Sequence, residues 1–189
     1  MTIIAMPPKE KTKLYLKYPL SSILIYNGST VIHFVLGGMG IILGFNFWIG
    51  YVLGSFYLAF SFIEMYALMP LRVCRNCVYY RLDSSVCISG LNVVSRKLAK
   101  EGNMKDFPER AEGIFCPNNL YLASLVIPII ILIPALVIKF SFLVLTILIL
   151  IVALLLFRFF VLFPRVACVH CRAKNLCPNA KAMGLSNNR

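Results

Sequence analysis

Apolar residues along this chain come in four long runs rather than in alternation. The first spans about Leu20 to Phe45, the second about Phe47 to Leu71, the third about Leu120 to Ile138 and the fourth about Phe142 to Phe163. Each is close to the roughly 20 residues that a helix needs to cross a bilayer. Outer-membrane strands alternate apolar and polar residues over about 10 positions, whereas these runs are apolar all round. The pattern predicts an all-α membrane protein with four transmembrane helices in two hairpins, turning near Asn46 and near Lys139–Ser141. Between the hairpins, Leu91, Val94 and Leu98 recur at helical spacing while Arg96, Lys97 and Lys100 lie off that stripe. This predicts a short basic amphipathic helix on the inner leaflet, ended by Gly102.

Composition agrees with this pattern. Of 189 residues, 60% are hydrophobic and 14% charged, and the mean hydropathy is +0.83. A soluble domain averages about 25% charged residues. The net charge of +12 is unevenly placed: 17 of the 19 basic residues fall in segments 1–19, 72–119 and 164–189. Lys and Arg mark the cytoplasmic side, so both termini and the central loop are expected there, in a multi-pass protein of the cytoplasmic membrane. The excess charge reads as this sidedness signal and as attraction to anionic lipid, not as a nucleic-acid surface. Met1–Tyr18 lacks the apolar core and small-residue cleavage site of a removable signal peptide.

A shift of 94 residues aligns Pro70 with Pro164, Cys74 with Cys168, Cys77 with Cys171 and Gly90 with Gly184. The chain therefore divides into a basic N-terminus (1–19), a hairpin with a Cys-x-x-Cys turn (20–77), a loop carrying the amphipathic helix (78–119), a second hairpin with its own Cys-x-x-Cys turn (120–171) and a tail (172–189). The two hairpins read as a parallel pseudo-repeat, with both cysteine turns leaving the membrane on one face.

All seven cysteines lie outside the runs: Cys74, Cys77, Cys87, Cys116, Cys168, Cys171 and Cys177. Cytosolic thiols stay reduced, so a cluster of them points to a metal or to thiol chemistry. Two Cys-x-x-Cys turns supply four thiolates, the donor set of structural zinc. The Cys-Pro steps at Cys116 and Cys177 also occur among iron–sulfur ligands, and zinc and an iron–sulfur cluster stay open together. Cys74, Cys77, Cys87 and Cys116 form one alternative four-thiolate set. Cys168, Cys171 and Cys177 would then need a fourth ligand, for which His170 is awkwardly placed between two of them.

Three groups inside the runs need partners. Glu64 and Arg158 are 94 residues apart, hence at one depth, and are expected to face each other across the pseudo-twofold axis. His33 is expected to be satisfied by a neighbouring hydroxyl or carbonyl. Gly40 and Gly44 are expected to pack on Gly54 and Gly50 within the first hairpin rather than to form a dimer face.

No phosphate loop or hydrolase motif is present. The leading expectation is a small membrane protein with a cytosolic thiolate-ligated metal, acting as an accessory or electron-transfer subunit to a membrane or cytosolic protein. Vitamin K epoxide reductases and quinone-linked disulfide-forming enzymes share the architecture of four helices with paired cysteines, which keeps a thiol–disulfide oxidoreductase as the second expectation. Here the cysteines face the other side of the membrane from those families. Transport is the third, and would require a homodimer to build a pathway.

Overall fold

The computed structural model describes residues 13–110 and 117–185. Four helices in it are long and apolar enough to cross a membrane: Leu20–Gly44, Phe47–Asn76, Asn118–Ile138 and Phe142–Ala167. No strand occurs among the described residues. The first helix, α1 (Leu20–Gly44), turns at Phe45–Asn46 into α2 (Phe47–Ile63). Three short helices follow: α3 (Val78–Arg81), α4 (Leu91–Leu98) and α5 (Asp106–Arg110). The second hairpin is α6 (Pro117–Ile138) and α7 (Phe142–Phe157), and α8 (Pro178–Ala182) lies in the tail. Cys116 lies outside the described residues.

Both second helices change pitch before they end. Helix α2 continues as a ten-residue π-helix, Glu64–Val73, and α7 continues as another, Arg158–Ala167. Each carries a proline at its seventh position, Pro70 and Pro164. Proline has no N–H to give and its ring crowds the carbonyl four residues back. Widening the turn relieves that clash. The exits show the wider ring: the Cys74 amide donates to Met69 O and the Cys168 amide donates to Phe163 O at 2.7 Å, each five residues back.

Helix α1 packs against α2, α6 and α7. Its glycines bring this about, though not as the small-residue spacing predicts. Gly50 and Gly54 do pack on α1, where a Cβ on Gly50 would stand 2.4 Å from Ile42 O and one on Gly54 3.0 Å from Gly38 O. Gly40 and Gly44 face the second hairpin instead, against Leu132, Ile147 and Ala135. The two glycine pairs are therefore not mutual partners: α1 presents one small-residue face to α2 and another to α6 and α7. The obstacle at Gly50 is backbone, which yields poorly. Gly50→Ala should destabilise the hairpin by about 1–3 kcal/mol, read as a lowered thermal midpoint in mild detergent. An unchanged midpoint would mean that α2 slides freely on α1.

At the hairpin-turn end, Ile41, Tyr57, Leu132, Val144, Ile147 and Ile151 form a core, and nearer the opposite end Phe34, Met65, Leu91, Tyr121, Leu125 and Leu162 form another. Large apolar side chains cover the outside: Trp48 is 78% exposed, Val137 82% and Phe142 78%. On a soluble protein such a surface would aggregate; around a bilayer span it meets lipid. Phe47, Trp48, Tyr51, Phe140 and Phe142 cluster at the two hairpin turns, the level at which aromatic residues anchor helices to the interface.

The central helix forms, but shorter and turned differently from the expectation. It ends at Leu98, before Gly102, and its buried face is Leu91, Asn92 and Ser95. Val94 and Leu98 stay exposed. Ser95 Oγ donates to Pro70 O at 2.7 Å and Leu91 shares a core with Met65, so α4 docks on the first π-helix through one hydrogen bond and one buried leucine. Gly102 serves a close approach rather than a cap: a Cβ there would overlap the Asn76 side chain.

Candidate thiol centre and intramembrane polar groups

The two π-helices deliver two matched turns. In the first, the Cys77 amide donates to Cys74 O at 3.2 Å; in the second, the Cys171 amide donates to Cys168 O at 3.2 Å. Both turns lie at the end of the bundle opposite the hairpin turns. Beyond them, Gly90 and Gly184 adopt left-handed φ of 71° and 68°, a conformation that glycine takes without strain.

A short extended segment ties the second turn to the loop that follows the first. Tyr15 donates its amide to His170 O at 3.1 Å, and the His170 ring nitrogen Nδ1 donates to Lys13 O at 2.8 Å. On the other side, the Tyr18 amide donates to Val86 O at 3.0 Å and the Val86 amide to Leu16 O at 3.1 Å. Two buried tyrosines complete the seam. The Tyr18 hydroxyl donates to Ala167 O, and the Tyr79 hydroxyl donates to Tyr15 O at 2.8 Å. His170 is thereby committed to the N-terminal segment, with its ring 4.5 Å from that of Tyr15. The sequence reading missed Tyr15, Tyr18 and Tyr79, because nothing in the sequence distinguishes a tyrosine that closes a seam from one at a lipid interface.

Cys77, Cys171 and Cys177 pack on one small core of Val73, Phe107 and Ala173. Cys74 packs with Ile88 against the neighbouring core. Cys87 is held from its backbone, where its amide donates to Asn92 Oδ1 at 3.0 Å. These five and Cys168 are free thiols, partly buried. Burial pushes the Cys77, Cys168 and Cys171 thiols up to about 12, and repulsion from neighbouring thiols adds to the rise. Backbone hydrogen bonds from Tyr79 to Cys77 and from Ala173 to Cys171 work against it. The donor type suits a soft cation, and a cation would relieve the mutual repulsion. As they stand, however, no three His, Cys, Asp or Glu side chains among the described residues converge into a metal-holding group. A tetrahedral site would require the sulfurs to draw together.

A thiol at about 12 carries roughly a thousandth of the thiolate of one at 9 at neutral pH. The metal-free protein should therefore react with N-ethylmaleimide at Cys77, Cys168 and Cys171 about 1000-fold more slowly than at an exposed cysteine. Rate constants from mass-resolved labelling at pH 7.5 check this. Fast labelling at any of the three would show an activated thiol.

Within the spans the expected ion pair is absent. Glu64 is fully buried, and neither of its carboxylate oxygens has a hydrogen-bond partner. Arg158 is 1% exposed and turns elsewhere, donating to the Tyr121 hydroxyl, to Thr30 Oγ1 at 2.8 Å and to Ser29 Oγ at 3.0 Å. The rings of Tyr26, Tyr121 and Phe163 surround its guanidinium at 5.4, 5.8 and 6.0 Å. Equal depth on two helices does not set the direction in which a side chain leaves them. His33 meets its expectation: Nε2 donates to Leu125 O at 2.9 Å, which leaves Nδ1 without a partner.

Compared with known protein families, curated proteins and solved structures, the chain matches none.

Proposed function

We propose that this is a small protein of the cytoplasmic membrane whose two pseudo-equivalent hairpins carry a thiolate-ligated metal centre on the cytosolic face. Cys74, Cys77, Cys168 and Cys171 would hold the ion, with Cys87 and Cys177 beside them. The bound group is zinc, which would staple the two halves, or an iron–sulfur cluster, which would pass electrons. With little mass outside the bilayer, the protein acts as an accessory or electron-transfer subunit for a membrane or cytosolic partner.

One observation carries the reading. Two ten-residue π-helices start 94 residues apart, at Glu64 and Arg158, and each ends in a Cys-x-x-Cys turn closed by the same hydrogen bond. Short π-helical insertions concentrate at functional sites. The left-handed glycines Gly90 and Gly184 extend the correspondence past the turns. A parallel repeat has its axis along the membrane normal, which supports both turns facing one compartment. The distribution of Lys and Arg supports that compartment being the cytosol. Burial raises the Cys77, Cys168 and Cys171 thiols, the opposite of the shift that activates catalytic thiols, which disfavours these three as the nucleophile of an oxidoreductase.

The test is elemental analysis of anaerobically purified protein together with its visible spectrum. Iron with acid-labile sulfide and broad visible absorption supports the electron carrier. About one zinc per chain without colour supports the staple. No metal, with every thiol open to alkylation after denaturation, overturns the proposal.

A further inference from the structure

Arg158 is a guanidinium in the membrane zone with no carboxylate paired to it among the described residues. Arginine does not shed its proton, so the charge stays. Three hydroxyls and three aromatic faces solvate it, but all of them are neutral. A buried charge without a counter-charge is costly, and such groups usually face a partner or a cavity.

A cavity is present. It has a volume of about 160 Å³, and its walls include Tyr26, Tyr121 and Phe163, the three rings that enclose the guanidinium. Leu122, Leu125 and Phe159 continue the wall, and Asn118 and Asn179 lie at another part of it. Those two amides are bonded reciprocally, at 3.1 and 2.7 Å. Tyr121 links the charge to the cavity. Its hydroxyl oxygen accepts from Arg158 Nη1 and is also hydrogen-bonded to the Tyr26 hydroxyl; with Tyr26 donating to it, the Tyr121 proton is left for a group in the cavity, and the cation behind it strengthens that donation.

We infer that this cavity binds the phosphate headgroup of an anionic glycerophospholipid, with Tyr121 as the donor and Arg158 as the counter-charge. The bilayer supplies this ligand at the right depth. The first methylenes of an acyl chain run along Leu122, Leu125 and Phe159. A neutral lipid would leave the guanidinium uncompensated. The inference rests only on the chain being embedded in a membrane and is independent of any metal.

The full chain, in nanodiscs of phosphatidylcholine with and without phosphatidylglycerol, is washed at about 0.5 M salt. The screening length there is about 4 Å, which removes lipid held by surface lysines. Native mass spectrometry then counts retained lipid. The expected result is about one phosphatidylglycerol per chain for the wild type and for the surface control Lys100→Gln. Tyr121→Phe, which keeps the ring, and Arg158→Gln should each lower retention about tenfold or more. Leu122→Trp should lower it by filling the cavity. If Arg158→Gln does not fold, Tyr121→Phe and Leu122→Trp decide. Equal retention of phosphatidylglycerol by the wild type and Tyr121→Phe overturns the inference, as does equal retention of phosphatidylcholine. Displacement of phosphatidylglycerol by equimolar oleate would assign the site to a free carboxylate and overturn it as well.

Discussion

If the proposed thiol centre holds a metal, serine at both Cys74 and Cys168 should abolish its binding and with it the stability the metal would add. These two cysteines cap the two π-helices, and their amides make the bonds that close those helices. Serine keeps those backbone bonds and nearly keeps the volume. It replaces a soft thiolate donor with a hydroxyl that does not ionise near neutral pH. A ligand that binds only the folded state at 1,000 times its Kd stabilises by about 4 kcal/mol. The wild type should gain at least that on loading with zinc, or with reconstituted iron and sulfide, and the double variant should gain almost none. Without metal the two proteins should melt within about 1 kcal/mol of each other. Thermal unfolding in detergent, with and without the ion, reads both quantities. An equal metal-dependent gain in the variant would show that the ion sits elsewhere, and a wild type with no gain would remove the metal from the account. Either single replacement should also lose most of the gain, because three sulfurs remain where a tetrahedral thiolate site takes four.

The helices of this protein are legible in its sequence because a bilayer span is a local property, decided by about 20 neighbouring residues. All four lie within a few residues of where the apolar runs place them. The 94-residue correspondence of prolines and cysteines is legible for the same reason. Its structural form is not. Pro70 and Pro164 read as prolines at helix ends, whereas the chain widens into a π-helix around each and carries on. Lateral relations are harder still. The glycine register on α1 and α2 gives depth correctly and azimuth wrongly, which sends Gly40 and Gly44 to the second hairpin. The same error pairs Glu64 with Arg158. The actual partners of Arg158 are hydroxyls at Ser29, Thr30 and Tyr121, residue types too common in membrane helices to stand out. The cysteine turns sit between these cases. Their spacing marks them, but the Lys13–Tyr18 segment that ties the second turn to the loop after the first depends largely on backbone groups, which carry no sequence signal.

Asn92→Ala should cost about 3 kcal/mol and loosen Cys87, because this one side chain organises the loop between the hairpins. Asn92 is 1% exposed. Its Nδ2 donates to Ser85 O at 2.9 Å, to Tyr79 O at 3.2 Å and to Ser85 Oγ at 3.2 Å, and its Oδ1 accepts from the Cys87 amide at 3.0 Å. The consequences of removing it are unequal. Ser85 O keeps Arg96 Nη2 at 2.7 Å, and Tyr79 O keeps the Ser85 hydroxyl at 2.7 Å. The Cys87 amide loses the one partner that orients it. A part-buried donor left unpaired costs about 1–3 kcal/mol, and each lost hydrogen bond adds about 1. Asn92→Asp should be worse than alanine at neutral pH, although it keeps an acceptor for Cys87. It would aim a carboxylate at Ser85 O and Tyr79 O, where the native amide donates. Hydrogen exchange at the Cys87 amide should accelerate in both variants while exchange in the spans stays slow. If the thiol centre includes Cys87, metal affinity falls with it; if Cys87 only stands beside the ligands, stability falls and affinity does not. A loss of less than about 0.5 kcal/mol in Asn92→Ala would mean that water replaces the amide and that the loop is held by α4 alone.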